Sequence, residues 1–336
     1  HYLVIKMKTL KIHRYENPKW GRYHLPLFKK LDNYFSQFFE LEILNYTKDD
    51  AKGPISLRRN LDSKFGRHPT ITDVEYVLEN EEGELKVVSA TEYYNNYVSH
   101  FAKSPNCSRV LLSHFNWHNL YFWAKREGEL TAIRKVKPWI FLPYSEFDVA
   151  RYRQIRQSQS MLNPKLFWKG CGADDYRKTI LYLHKFGDMQ DIHCTGTEEE
   201  YLLLLSKSQL AVSFYTTLSR YRTPFDYPGE FCYRDMEYQL LGVPYIRIEY
   251  KDTLHNPLLP NHHYISIPRE EAYVAFEKRG DLGVAELYQK VYKEVIGDKE
   301  FLNFISENQI NWSNANLSNG NAEKLTFDLL GLCDWL

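Results

Sequence analysis

The chain has 336 residues, 43% hydrophobic and 26% charged, with 43 Lys and Arg against 43 Asp and Glu. This composition excludes a disordered or low-complexity chain. Zero net charge excludes long-range attraction to nucleic acid or an anionic membrane as the main driving force. The length fits two domains of ordinary size.

Aromatic residues make up 15% of the chain, 26 of them Tyr. Their flat faces and polar edges suit a packed core first, and sugars or nucleobases second. The five cysteines (Cys107, Cys171, Cys194, Cys232, Cys333) are odd in number and form no C-x-x-C. A reducing, cytoplasmic compartment is the expectation. No apolar run approaches the about 18 residues of a membrane span. The residues before Met7 are too few for a signal h-region. Sequons at Asn45, Asn106, Asn311 and Asn316 would matter only in a secretory compartment.

In chain order, residues 8–12 predict a strand. Gly21 to about Glu40 predicts a helix, because Leu27, Leu31, Tyr34, Phe35 and Phe38 recur at three- and four-residue spacing. Leu41–Leu44 predicts a second strand, and residues 47–69 a polar, basic loop. The alternation in Asp73–Leu78 predicts a strand, closed by a turn at residues 79–83. Val110–Leu112 and Trp139–Leu142 are further strand candidates, with helices between. The polar segment 144–160 separates two halves.

The second half repeats this grammar. Leu166–Trp168 predicts a strand leading into Lys169-Gly-Cys-Gly172, followed by a helix at Thr179–Leu183 and a strand at Asp191–His193. Residues 198–205 predict a helix, 210–214 a strand and 216–230 a long Pro/Gly/Tyr loop. A short helix from Arg234 is stopped by Gly242. Pro244–Ile248 and His263–Ile267 predict strands, 284–309 a final long helix, and 311–321 a polar, flexible loop. Strands alternating with helices indicate parallel α/β architecture. The reading is two Rossmann-like lobes with a cleft between them. The N-terminal lobe spans 7–145, the C-terminal lobe 146–310, and a tail of 311–336 packs back on a lobe.

Several familiar sites are absent from the sequence. There is no P-loop, no G-x-S-x-G and no H-E-x-x-H, and Asp175 breaks the dinucleotide fingerprint after Gly170 and Gly172. His114 and His118 are four residues apart but lack a third metal ligand. No D-x-D pair is present to hold a diphosphate through a metal. A nucleoside diphosphate would then be held by side-chain cations, backbone N–H groups and a helix N-terminus. Lys169 and Arg177 flank the Gly170 turn. Gly229 precedes a helix whose first turn holds Arg234, suited to fork onto phosphate oxygens. Glu237, one turn on, is placed to accept from ribose hydroxyls, or else to form a surface ion pair with Arg234. Tyr215, Tyr227, Phe231 and Tyr233 are candidates for base stacking or for packing.

Phe167-Trp-Lys-Gly170 followed by Arg177 resembles the F-[FW]-[RK]-G…R element of the CAP10-like protein O-glucosyl/xylosyltransferases. The segment Asn256-Pro-Leu-Leu-Pro-Asn-His-His-Tyr-Ile-Ser-Ile267 resembles that family's P-x-x-x-x-HY-[IV]-x-[IV] stretch. Thr72-Asp-Val-Glu-Tyr-Val77 resembles its P-D-[VM]-E-[FL] strand. The likeness covers residues 70–270 in short patches occurring in the family's order. Exostosin-type glycosyltransferases share the second-lobe pattern and are the near alternative.

The resemblance implies a GT-B fold with the active site between the lobes, a UDP-sugar donor (glucose or xylose) on the second lobe, and inversion at the sugar. Metal and cofactor are expected to be absent. The acceptor would be a glycan or protein hydroxyl. The resemblance also implies a carboxylate base after the D-V-E strand. Here the chain departs, since the family's R-D-[YW]-P is missing and Asn80-Glu-Glu-Gly83 stands in its place. Glu82 occupies the base position, with Asp73, Asp148 and His114 as competitors. Two alternatives stay open: a non-catalytic carbohydrate-binding relic of the fold, and another transferase acting on a phosphate-bearing substrate.

Overall fold

The computed structural model describes residues 7–15, 21–46, 75–89, 102–112, 131–140, 144–168, 178–190, 197–213, 233–249 and 256–336. In chain order its elements are β1 (Thr9–Tyr15), α1 (Gly21–Phe35), β2 (Glu40–Tyr46), β3 (Glu75–Glu79), β4 (Leu85–Ser89), β5 (Cys107–Leu112) and β6 (Val136–Pro138). Then come α2 (Glu146–Ser158), α3 (Lys178–Lys185), α4 (Glu198–Ser206), β7 (Ala211–Val212), α5 (Tyr233–Leu241), β8 (Tyr245–Ile248) and β9 (Ile265–Ile267). The last helices are α6 (Arg269–Val295), α7 (Lys299–Asn316) and α8 (Asn321–Leu330). The chain divides into two compact units, His1–Tyr144 with Leu317–Leu336, and Ser145–Asn316.

The first unit holds a six-stranded sheet in the order β2-β1-β3-β4-β5-β6. All its pairings are parallel except those of β3, which runs antiparallel to β1 and β4. The alternating grammar predicted parallel strands throughout, and β4 was not anticipated. The local chemistry explains the hairpin. Asn80 Oδ1 accepts from the backbone N–H of Glu82 (3.1 Å) and Glu84 (2.8 Å). Gly83, at φ +81, supplies the left-handed step. So short a reversal costs little loop-closure entropy, and local antiparallel pairing prevails.

One face of this sheet is covered by α1 and α8. Phe28 and Phe35 pack on Tyr76 at 4.9 and 6.3 Å, and Phe327 packs on Phe35 and Phe38. The strand expected at Trp139 lies three residues earlier, in β6; Trp139 is buried and donates through Nε1 to Thr326 Oγ1 at 2.9 Å. The C-terminal residues are tied to β4. Lys86 Nζ donates to the Gly331 carbonyl (2.7 Å) and sits 4.2 Å over the Trp335 ring, while Trp335 Nε1 donates to Glu84 (2.8 Å).

The second unit is built on a parallel sheet. β7, β8 and β9 pair in that order. Phe167 bridges parallel to Ala211, and Leu166 to Met189. Residues 166–168 make these bridges rather than a full strand, and the strand expected at 191–193 falls outside the described residues. Across the sheet the order is therefore Met189, Leu166–Phe167, β7, β8, β9. Numbered along the chain, that is 2-1-3-4-5, a doubly wound arrangement whose winding reverses between Phe167 and β7.

Helices α3 and α6 cover one face. Ile180, Leu183, Val284 and Tyr288 share a core with Ile246, Ile248, Ile265 and Ile267. On the other face α5 meets the strand residues of opposite parity, Tyr238 lying 5.1 Å from Tyr245. Such three-layer packing buries both faces, which is why β8 is buried end to end.

Two helical expectations are corrected. The final helix is two, α6 and α7, broken at residues 296–298, and α6 is kinked at Gly280 (φ 58, ψ −145). Residues 311–316 are helical, not loop. Their Asn and Ser content conceals an inward stripe of Leu302, Ile305, Gln309, Trp312, Ser313 and Asn316, at three- and four-residue spacing. The separating segment 144–160 is largely α2. Its Arg153 donates to the Leu240 carbonyl (2.6 Å), Asn314 (2.8 Å) and Ser313 (3.1 Å), and its Arg156 donates to the Ser208 carbonyl. These two arginines thus reach the C-terminal ends of α4, α5 and α7, where orphan carbonyls and the negative end of the helix dipole favour cations.

Candidate functional site

Open α/β sheets take ligands outside the carboxyl ends of their strands, at the point where the winding reverses. In the second unit that point lies between Phe167 and β7. Trp168 follows the first segment and Ser213 the second. Tyr288 fastens this edge from the α6 side, its hydroxyl donating to the Ser213 carbonyl (2.9 Å) and accepting from Ile248 N–H (3.3 Å).

Helix α5 begins at the same edge, and its spacing assigns two distinct sides. Asp235, Tyr238 and Gln239 face the sheet. Asp235 pairs with Arg247 on β8, both buried. Tyr238 OH donates to the Val212 carbonyl (3.1 Å), and Gln239 Nε2 donates to Tyr245 OH (3.0 Å) and the His263 carbonyl (2.9 Å). Arg234 and Glu237 occupy the adjacent flank, toward the reversal point. The Arg234 guanidinium lies 5.2 Å from the Trp168 ring centroid. Glu237 accepts from Tyr201 OH at 2.5 Å, and the Tyr201 ring packs on Phe167 at 5.7 Å. Arg234 and Glu237 are both half-buried. A planar cation held over an indole, at a helix N-terminus, is chemistry suited to a phosphate group.

The structure thus brings Arg234 and Glu237 together on one flank, where each engages an aromatic residue, Trp168 and Tyr201 respectively. Lys169, Gly170, Arg177, Tyr215, Gly229 and Phe231 lie outside the described residues, as does the Tyr233 side chain. Sequence reasoning missed Arg247 and Asp235 as a pair. The available signal was a lone Arg inside the apolar run Pro244–Ile248.

In the first unit the carboxylate expectations fare differently. Asp73 and His114 lie outside the described residues. Glu82 is exposed in the hairpin turn between β3 and β4. Because β3 runs opposite to its neighbours, that turn sits at the amino ends of β1 and β4. Thr9, the first residue of β1, donates its N–H to Glu81 Oε1 at 3.1 Å. Glu82 therefore stands on the edge opposite to the one that takes ligands in such sheets. Asp148 has a local role, its backbone N–H donating to Ser145 Oγ (3.0 Å) at the start of α2.

Among the described residues no group of three or more His, Cys, Asp or Glu could hold a metal ion. No described helix is long and apolar enough to cross a membrane. No protein-family model and no curated protein matches the chain. Among solved structures the chain is similar to HepE of Anabaena, crystallised in complex with UDP and glucose. The two are 12% identical over 97% of this chain and 99% of that one, with a TM-score of 0.41.

Proposed function

We propose that the protein is a glycosyltransferase that moves glucose or xylose from a UDP-sugar to a hydroxyl of a glycan or protein, with inversion and without a metal ion. The two units would act as the lobes of a GT-B enzyme, the second holding the donor. The observation that carries this reading is Arg234, held over Trp168 at the reversal point of a doubly wound sheet.

In this reaction the acceptor oxygen attacks the anomeric carbon as the bond from that carbon to the diphosphate oxygen breaks. The acceptor proton passes to a base, and UDP departs with the electron pair. Arg234, with Lys169 and Arg177, stabilises the charge growing on the diphosphate, the role that a divalent ion has elsewhere. The Gly170 and Gly229 loops let backbone approach the phosphates. Glu237 receives the ribose hydroxyls. Tyr215, Phe231 and Tyr233 line the base and sugar. The base is drawn from Glu82 and Asp73, with Asp148 and His114 as competitors. It contributes about 10²–10⁴-fold.

Calorimetric titration with UDP tests the donor site. Arg234→Ala should weaken UDP binding by about tenfold or more, since hydrogen bonds to charged groups contribute about 1.5–3 kcal/mol. Unchanged affinity would refute the site. Donor hydrolysis measured across UDP- and GDP-sugars should show turnover with UDP-glucose or UDP-xylose.

A further inference from the structure

We infer that the buried Asp235–Arg247 pair positions Arg234 for a ligand's diphosphate group, an inference that rests on the donor-site reading above. Asp235 is 0% exposed and Arg247 2%. An ion pair this deep is weak evidence of a stability device, because desolvation offsets most of the attraction, and apolar side chains of like volume often serve as well. What such a pair supplies is registry. Arg247 projects from β8 toward α5 and pairs with Asp235 there. Asp235 follows Arg234 directly, in the first turn of α5, so pinning its carboxylate fixes the rotation of that turn about the helix axis.

The rest of α5 is held by Tyr238 on the Val212 carbonyl and by Gln239 on Tyr245 and the His263 carbonyl. Those contacts act one turn further on, and the ion pair acts on the first turn itself. With the turn fixed, Arg234 is directed over Trp168. The pair has a second consequence. A carboxylate one residue from a diphosphate-binding arginine would repel the ligand; Arg247 cancels that charge where screening by solvent is weakest. Asp235 and Arg247 are positioning residues, acting through Arg234 and not by contact with ligand.

Two probes separate this role from a purely structural one: UDP, which carries the diphosphate, and uridine, which does not. The informative variant is the double substitution Asp235→Asn with Arg247→Met. It removes both charges together and leaves neither buried alone. It should fold, bind uridine within about twofold of wild type, and bind UDP about tenfold more weakly, the loss of one well-aimed charged contact. Arg247→Lys, which keeps the charge, should recover most of the preference for UDP. Equal loss of both ligands, or an unchanged UDP preference in the folded variants, would overturn the inference.

Should the variants not fold, the wild-type protein decides. The Arg247 Nε–H resonance should shift on adding UDP and stay in place with uridine; no shift with UDP overturns the inference. Wild-type protein that binds UDP no better than uridine would overturn the donor-site reading itself.

Discussion

The guanidinium of Arg234 lies 5.2 Å from the ring centroid of Trp168, joining the first turn of α5 to the carboxyl end of the segment beside β7. Trp168 also packs against the apolar core of the second unit. The indole is therefore a rigid platform for the cation. A cation–π contact of this kind is worth about 0.5–2 kcal/mol, rising as solvent is excluded. Trp168→Leu keeps apolar bulk while removing the π face. It should lower UDP affinity by about 3- to 30-fold, and calorimetric titration beside a circular-dichroism melt would separate this from loss of folding. A folded Trp168→Leu protein with wild-type affinity would show that the platform has no part in binding.

His263 offers a test through pH. Its Nδ1 accepts from Leu259 N–H at 2.8 Å, so the ring is held neutral. Burial first, and the neighbouring His262 second, lower its pKa from 6.5 to about 4. A group whose folded pKa is depressed contributes stability above its unfolded pKa and loses it as pH falls toward the folded value. His263 should therefore contribute fully above pH 6.5 and lose its contribution between 6.5 and about 4. Urea midpoints at pH 7 and pH 4.5 should differ less in His263→Leu than in wild type. An equal difference in both proteins would remove His263 as a source of acid sensitivity.

Much of the second unit was legible in the sequence because its signals are local. Gly242 ends α5 at φ +64, as its place after Leu240-Leu241 predicts, and a side chain there would meet Ile310 at 2.8 Å. The apolar runs Pro244–Ile248 and His263–Ile267 read as strands, and β8 and β9 lie within them. What was illegible depended on partners distant in the chain. β3 also pairs with β1, more than sixty residues earlier, and nothing within Glu75–Glu79 encodes that partner. The resemblance places a base at Glu82, whereas the edge of the sheet on which Glu82 stands follows from strand pairing. Arg234 and Glu237 were legible as neighbours because one helix carries both. Tyr201, Trp168 and Arg247, which fix their geometry, come from three other segments.

The kink in α6 should be unusually intolerant of substitution. Gly280 adopts φ 58, ψ −145 inside the helix, close to a region open in practice to glycine alone. Three residues on, a Cβ at Gly283 would stand 2.2 Å from the Ala275 carbonyl oxygen. That oxygen belongs to backbone and cannot swing aside, so the two halves of α6 would have to separate. Arg279 and Glu286, paired across the bend at 2.6 Å, are exposed and would resist this little. Gly283→Ala should destabilise the protein by about 2 kcal/mol or more, and Gly280→Ala by about 1–3 kcal/mol. Urea denaturation followed by fluorescence measures both. A Gly283→Ala midpoint equal to wild type would contradict the close approach.

Arg153 should be irreplaceable by lysine. Its Nε reaches the Leu240 carbonyl (2.6 Å), and its two terminal nitrogens reach Asn314 (2.8 Å) and Ser313 (3.1 Å). One planar fork thus joins α2 to the C-terminal ends of α5 and α7. Burial lowers the pKa of the group, yet a guanidinium remains charged at neutral pH. Lysine keeps the charge but offers a single nitrogen, with no fixed fork to span both helices. At least one of the three bonds must be lost, and the Leu240 carbonyl, near the end of α5, is the acceptor least able to find another partner. Arg153→Lys should therefore cost about 1–3 kcal/mol, read as a lower urea midpoint with an unchanged m-value. Because the clamp grips the far end of the helix from Arg234, UDP affinity in the folded variant should stay within about twofold of wild type, below the 1.4 kcal/mol that a tenfold change represents. A midpoint equal to wild type would mean that the Arg153 fork adds nothing beyond the charge that lysine keeps.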